Sequence, residues 1–111
     1  MANMRNYVQL IGNLGSDPEI KEYAEGKKLA RISVATSDSY RNQKGERVNE
    51  TQWHNVVAWG SQAEFLEKFT TKGQGVIING KLITRSYEKD GERRYITEVV
   101  ANEFFLTGSK D

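Results

Sequence analysis

The sequence contains no cysteine, only one histidine, His54, and only one proline, Pro18. Without cysteine, neither a disulfide framework nor a zinc site built on thiolates can form. One histidine excludes metal sites that need two, and the sequence has no Walker loop, dinucleotide glycine fingerprint or G-x-S-x-G elbow. These absences remove the common enzyme and cofactor classes. We therefore expect no catalytic residue, no cofactor and no metal site.

Long hydrophobic runs and a strong charge of one sign are also missing. Residues 1–6 include Arg5 but no apolar stretch behind it, so the sequence predicts no signal peptide and no membrane span. We expect a cytoplasmic protein that does not engage a membrane. The formal net charge is +1 over 111 residues, so bulk charge alone does not indicate a polyanion ligand. A site for nucleic acid would have to be local.

Alternating apolar and polar residues dominate what is present. Period-2 patterns predict five strands, and one segment changes to helical spacing at 61–69. The predicted strands cover 7–14, 29–36, 53–59, 76–87 and 93–100. Three strands, one short helix and two strands is the order of the five-stranded Greek-key barrel of the oligonucleotide-binding fold. We therefore predict an all-β single domain over 1–111, with its helix between strands 3 and 4 and a short disordered tail at 107–111.

The segments between strands give further expectations. The polar stretch 39–50 is predicted to be a long, mobile hairpin, and Asp90-Gly91 to be a tight hairpin turn. Ser61 and Glu64 stand at capping-box spacing at the start of the predicted helix. The apolar stripe of that helix is predicted to consist of Phe65, Leu66 and Phe69.

The third strand carries the most informative pattern. Its alternation places Trp53 and Trp59 on one face, and His54 and Val56 on the other. The barrel has other residues to fill its interior: Val8, Leu10, Ile32, Val34, Val56, Phe65, Leu66, Phe69, Val76 and Ile78. The two tryptophans are therefore free for a ligand. Tyr40 and Tyr87 add further rings, and basic residues are interleaved with all four: Arg41, Lys44, Arg47, Lys81, Arg85 and Arg94. Flat rings beside cations are what sequence-tolerant binding of single strands requires.

Other interpretations of these residues stay open. An aromatic residue in a small barrel is more often part of the core than a ligand platform, and surface arginines are often simply solvated. A barrel of this kind can also serve as a primosome-type docking protein with secondary binding of single strands. A nuclease that binds Mg²⁺ through Asp17 and Glu19 is a further alternative, although acidic residues are ordinary at turns.

Taken together, the motifs resemble those of the bacterial single-stranded DNA-binding proteins. The matches follow one another in order over nearly the whole chain: 6–15, Asp17-Pro18-Glu19, Ala35-Thr36-Ser37, 51–57, Ala63-Glu64, Lys72-Gly73, Gly80-Lys81-Leu82, Thr84-Arg85 and 95–99. The resemblance implies sequence-nonspecific binding and protection of single-stranded DNA in replication, recombination and repair, within the bacterial nucleoid.

The resemblance also implies roles for particular residues. Base stacking is implied for Tyr40, Trp53, Trp59 and Tyr87, with tyrosine at two positions where tryptophan or phenylalanine is commoner in the family. Phosphate contacts are implied for Arg41, Lys72, Arg85 and Arg94. A homotetramer is implied, with an interface formed by Tyr7, Val8, Gln9, Leu10, Ile11 and His54. Replication and repair enzymes are the family's other partners, but the acidic tip that recruits them is not found in this sequence, which stops at Asp111.

Overall fold

The structure is a computed structural model that describes residues 5–108. It contains six strands and one helix, in the order β1 (Val8–Leu14), β2 (Glu19–Ala24), β3 (Lys27–Arg41), β4 (Arg47–Trp59), α1 (Ser61–Phe69), β5 (Gly75–Lys89) and β6 (Glu92–Leu106). No helix among residues 5–108 is long and apolar enough to cross a membrane. The helix occupies the predicted residues.

Five of the strands close into a barrel. The sheet has the order β1-β5-β6-β4-β3-β2, and β1 also pairs with β3, which closes the ring. All pairings are antiparallel except β4 with β6, where Val56 lies beside Val99 and Val57 beside Val100. The predicted five-stranded barrel with its helix after the third strand of the ring is therefore confirmed.

The additional strand, β2, lies outside the ring and pairs only with β3, from Glu19 opposite Arg31 to Ala24 opposite Lys27. The sequence analysis did not predict it. Its residues, EIKEYA, are all exposed except Ile20, which is partly buried and packs against the core. Backbone pairing with β3 forms this strand without an alternation that sequence reasoning can detect.

A hairpin does occupy the predicted residues 39–50, but the predicted strands on either side of it, 29–36 and 53–59, are too short. β3 continues to Arg41 and β4 begins at Arg47, and their register is unbroken from Leu29 opposite Trp59 to Arg41 opposite Arg47. Only 42–46 remain as the connection. The distal ends of β3 and β4, residues 37–41 and 47–51, extend beyond the barrel. Both of their faces are exposed to solvent, so polar residues are found in paired strands. The turn at Asp90-Gly91 is confirmed, with φ of 55° and 79° as a two-residue hairpin turn requires.

The core lies inside the ring and under α1. Alternation sends inward the expected members of each strand, and α1 adds Ala63 and Leu66, both fully buried. The buried cluster consists of Leu10, Leu14, Ala30, Ile32, Val34, Val56, Ala58, Ala63, Leu66, Val76, Ile78, Val99 and Ala101. The prediction that Phe69 belongs to this core is wrong, because its side chain is 58% exposed at the last residue of the helix. It packs against Phe65 on the outside, with ring centroids 5.2 Å apart.

The predicted capping box is also absent. The N-cap is Gly60, and no side chain caps the helix. Ser61 is already the first helical residue, and the Glu64 backbone N–H donates to the Gly60 carbonyl at 3.1 Å. At the other end, Thr70 donates from both its backbone N–H and its hydroxyl to the Leu66 carbonyl. A side chain therefore caps the helix at its C-terminus and not at its N-terminus.

Candidate nucleic-acid interface

Strand β4 presents its two tryptophans on the outside of the barrel. Trp53 is 61% exposed and Trp59 is 47% exposed, while Val57 between them is buried. His54, Val56 and Ala58 point to the inner side, as predicted. We call the surface that carries the tryptophans the tryptophan face. It comprises the odd-numbered residues of 29–41, 47–59 and 81–89, together with the even-numbered residues of 92–100. The remaining residues of these four segments form the opposite face.

Two contacts support the tryptophan rings, one from the connection between β1 and β2 and the other from β2. A Cβ added at Gly15 would overlap the six-membered ring of Trp53, so only glycine allows that ring to lie against the backbone. Tyr23 meets Trp59 edge to face, with ring centroids 5.3 Å apart and an interplanar angle of 86°. Rings held in this way lose little conformational entropy when a base stacks on them.

Tyr87 belongs to the same face. Val57 pairs with Val100, and Val100 pairs with Lys81, so alternation along β5 carries the face to Tyr87. Its side chain is 40% exposed, opposite Arg94 on β6. The structure therefore brings three of the four predicted stacking residues to one surface.

Tyr40 is placed differently. It pairs with Val48 in the unbroken β3–β4 register, and its neighbours Ser39 and Arg41 are the residues on the tryptophan face. Its side chain is 49% exposed near the tip of the hairpin, on the opposite face. A stacking role for Tyr40 stays a prediction that rests on the resemblance.

Charge is sorted between the two faces. Within the paired segments the tryptophan face carries seven basic residues, Arg31, Arg41, Arg47, Lys81, Arg85, Lys89 and Arg94, and two acidic ones, Glu92 and Glu98. The opposite face carries one basic residue, Arg93, and three acidic ones, Asp38, Glu50 and Glu88. A polyanion is therefore attracted to the face that holds the tryptophans.

At the centre of the tryptophan face, Glu98 binds two arginines. Arg85 donates from Nε to Oε1 at 2.9 Å and from Nη2 to Oε2 at 3.3 Å, and Arg31 donates from Nη1 to Oε2 at 2.9 Å. The Glu98 side chain is 2% exposed, whereas those of the arginines are 41% exposed. Burial pushes the pKa of Glu98 upward, but Arg85 and Arg31 outweigh it and hold that pKa below its ordinary value. Glu98 raises the pKa of Arg85 in turn.

Two of the other predicted phosphate contacts, Arg41 and Arg94, bond to residues nearby in the sequence. Arg41 donates to the Gly45 carbonyl at 3.0 Å, and Arg94 donates to Glu92 at 3.1 Å between exposed side chains. Lys72 is exposed in the connection after α1, and its backbone N–H donates to Asp17 at 2.7 Å. Asp17 thus anchors this connection to the first loop. The described residues contain no group of three or more potential metal-binding side chains.

The predicted oligomer interface is divided by alternation along β1. Tyr7, Gln9 and Ile11 are exposed on the outside, and the Tyr7 hydroxyl and the Gln9 amide both donate to Asn79, at 3.0 and 2.9 Å. Val8 and Leu10 point toward the core, so only their backbone is available to a partner subunit. Within the described residues, β3 pairs with β1 only at residues 13–14, which leaves an edge of residues 8–12 open.

His54, the remaining predicted interface residue, lies on the inner side of β4. Its Nε2 is 3.0 Å from the Thr36 hydroxyl, and the pair is partly buried.

Sequence reasoning missed three residues of the tryptophan face or its supports, which are Tyr23, Arg31 and Glu98. Tyr23 was missed because the polar strand β2 gave no signal. Arg31 and Glu98 were missed because Glu98 lies two strands away from Arg31 in the sheet. The parallel pairing of β4 with β6 brings them together, and nothing in local spacing indicates that pairing.

Comparison with known proteins gives concordant matches. The model of the single-strand binding protein family matches residues 5–106. The chain is 40% identical over 113 aligned positions to single-stranded DNA-binding protein 1 of Chlorobaculum tepidum, covering all of this chain and 70% of that protein. It is 39% identical over 107 positions to single-stranded DNA-binding protein 1 of Xylella fastidiosa, covering 95% of this chain and 79% of that one.

Solved structures agree. The Plasmodium falciparum SSB in complex with ssDNA superposes with a TM-score of 0.83 at 30% identity, covering 93% of this chain and 95% of that one. A deletion mutant of the single-stranded DNA binding protein from Thermus aquaticus gives a TM-score of 0.81 at 29% identity, covering 93% of this chain and 50% of that one.

Proposed function

This chain belongs to the single-strand binding protein family, and we propose that it binds and protects single-stranded DNA without sequence preference. The observation that carries the proposal is the tryptophan face, where braced, exposed rings share one surface with an excess of cations. We further propose that it acts without catalysis, in the bacterial cytoplasm, and serves replication, recombination and repair.

Binding combines two contributions. Bases stack on Trp53, Trp59 and Tyr87, with Tyr40 as a further platform at the hairpin tip. Stacking on such barrels contributes about 1–3 kcal/mol per base in general, with little dependence on base identity because every base has a π-face. This explains how a strand of any sequence is held.

Cations along the same path neutralise the backbone. Arg41, Lys72, Arg85 and Arg94 are proposed to contact phosphates, which releases condensed counterions and makes affinity depend on salt. Arg41 and Arg94 are exposed and bonded only locally, so exchanging their present partners for a phosphate involves little desolvation.

Assembly is proposed to proceed through β1 to a homotetramer. The open edge at residues 8–12 and the exposed Tyr7, Gln9 and Ile11 support contact with a second copy, and Val8 and Leu10 would contribute through their backbone. His54 is proposed to lie near an interface. Several linked barrels bind one strand far more tightly than a single barrel does. Native mass spectrometry with and without a defined oligonucleotide tests both subunit number and stoichiometry.

A fluorescence titration tests the central proposal. Adding poly-dT at low salt is expected to quench the tryptophan emission, because bases stacked on Trp53 and Trp59 alter both rings. A double-stranded oligonucleotide serves as the control and is expected to quench far less. Absence of quenching by poly-dT would refute the proposed function.

A further inference from the structure

The cluster formed by Arg31, Glu98 and Arg85 spans four strands of the sheet. Glu98 lies on β6 and Arg85 on its neighbour β5, while Arg31 reaches from β3 across β4. Arg31 is directly opposite Val57 on β4, and Val57 is 4% exposed although it belongs to the outer surface. The Arg31 side chain therefore crosses over Val57 to reach Glu98. Glu98 lies on β6, between β4, which carries the tryptophans, and β5, which carries Tyr87.

A buried carboxylate is a costly way to hold two exposed cations. Removing Glu98 from water disfavours its charged form, and only the two guanidinium groups compensate for this. The arginines themselves are 41% exposed, so they do not need Glu98 in order to be solvated. What Glu98 does achieve is geometric, because two like charges on flexible stems would otherwise separate.

The cluster also keeps donors free for a ligand. Each guanidinium has five N–H groups in a rigid fork, and the bonds to Glu98 use one from Arg31 and two from Arg85. After Glu98 neutralises one charge, one net positive charge remains. Forked donors with a net positive charge match the tetrahedral oxygens of a phosphodiester.

We propose that Glu98 is a positioning residue for DNA binding, which holds Arg31 and Arg85 so that their remaining N–H groups receive one phosphodiester of the strand. The inference rests on the proposed function, and it adds Arg31 to the phosphate contacts. Glu98 itself does not touch the strand. Its contribution is to remove in advance the ordering that the two arginine side chains would otherwise undergo on binding.

Glu98→Gln provides a test, because a role in charge and a role in positioning predict opposite changes in the affinity for poly-dT. If charge alone matters, removing a carboxylate from the binding surface tightens the binding of poly-dT, most of all at low salt. If Glu98 positions the arginines, binding weakens about tenfold, the scale of one charge-assisted hydrogen bond. The slope of log affinity against log salt also becomes shallower, by about 0.7 for each phosphate that the arginines no longer neutralise. Unchanged or tighter binding overturns the proposal.

Glu92→Gln is the matched control. It removes the same charge from the same face and the same strand, but Glu92 is 72% exposed and pairs with only one arginine, Arg94. This substitution is expected to tighten binding at low salt, as the charge argument requires. If both substitutions weaken binding equally, Glu98 has no special role.

A second variant guards against a loss of folding in Glu98→Gln, which circular dichroism and thermal unfolding would reveal. Replacing Arg31 and Arg85 together by lysine keeps the charge but removes the planar forks that Glu98 holds. We expect weaker binding with a nearly unchanged salt slope, because both positive charges remain, and wild-type affinity would overturn the proposal. Failure of wild-type protein to bind poly-dT refutes the proposed function, whereas failure of the positioning role leaves wild-type binding intact.

Discussion

The tryptophan face and the opposite face of the same two hairpins are built from alternate residues of one sequence, yet they differ in kind. Both expose aromatic rings: Tyr95 on the opposite face is 69% exposed, more than Trp53 at 61%. They differ in charge and in bracing, because one face gathers the cations and receives the support of Gly15 and Tyr23. Exposure alone therefore does not identify a ligand platform. The net charge of +1 for the whole chain does not show that these two faces differ in sign.

The largest expected difference between the faces is in stacking. Trp53→Ala is expected to raise the dissociation constant for poly-dT by about 5- to 150-fold, which corresponds to the loss of about 1–3 kcal/mol of stacking. Tyr95→Ala, which removes an equally exposed ring from the opposite face, is expected to stay close to wild type. The measurement is a titration at moderate salt, followed by a fluorescent label on the DNA. Equal losses in the two variants would remove the distinction between the faces.

A smaller effect sharpens the comparison at the two tyrosines. Tyr87→Ala is expected to weaken binding about fivefold, near the lower end of the stacking range because its ring is smaller than that of tryptophan. If the face decides the role, Tyr40→Ala weakens binding less than Tyr87→Ala does. A larger effect at Tyr40 would show that the twist of the long β3–β4 hairpin carries its tip into the path of the strand. The same titration decides between the two outcomes.

Adjacent arginines provide a finer comparison. Arg94 is on the tryptophan face and Arg93 on the opposite face, where it donates to Ser86 at 3.2 Å. Arg94→Met is expected to reduce the slope of log affinity against log salt by about 0.7, the contribution of one phosphate contact to a single strand. Arg93→Met is expected to leave the slope unchanged. An equal change in the two slopes would mean that diffuse charge, and not location, determines binding.

The smallest expected effect concerns stability in acid. The pKa of Glu98 in the folded protein is held below its ordinary value of 4.5. Stability from its ion pairs is therefore fully present above the unfolded-state pKa and is lost as the pH falls through the folded-state pKa. Glu98→Gln should lose less stability than wild type between neutral pH and about pH 2, as measured by urea unfolding. A pH dependence in Glu98→Gln equal to that of wild type would contradict this prediction.

Much of the barrel was predictable because its alternation is strong. Ile32 and Val34 point inward and alternate with the polar residues Arg31 and Ser33, which fixes both the strand and its orientation. The same reasoning separated Trp53 and Trp59 from the core. β2 and the distal ends of β3 and β4 were not predicted. Most of their side chains are exposed, so their sequences lack the alternation of apolar and polar residues that indicates a strand.

The arrangement of the site depends on contacts that local sequence does not encode. Arg31 and Glu98 are 67 residues apart and meet only because β4 and β6 run side by side. Phe69 was misassigned because the helix ends at that residue, where its side chain lies outside the core. In both cases the tertiary structure, and not the local sequence pattern, determines where the side chain lies.

The hairpin of β3 and β4 has a consequence for motion. Its distal pairs, from Ser37 opposite Thr51 to Arg41 opposite Arg47, are exposed on almost every side chain and rest on no core. Such distal ends open locally at a free energy well below that of global unfolding. We expect amide hydrogens there to exchange without unfolding of the barrel, and those near Val34 and Val56 to exchange only on global unfolding. Single-stranded DNA bound along this part of the hairpin is expected to slow the local opening, so that binding makes the region in contact with DNA more rigid.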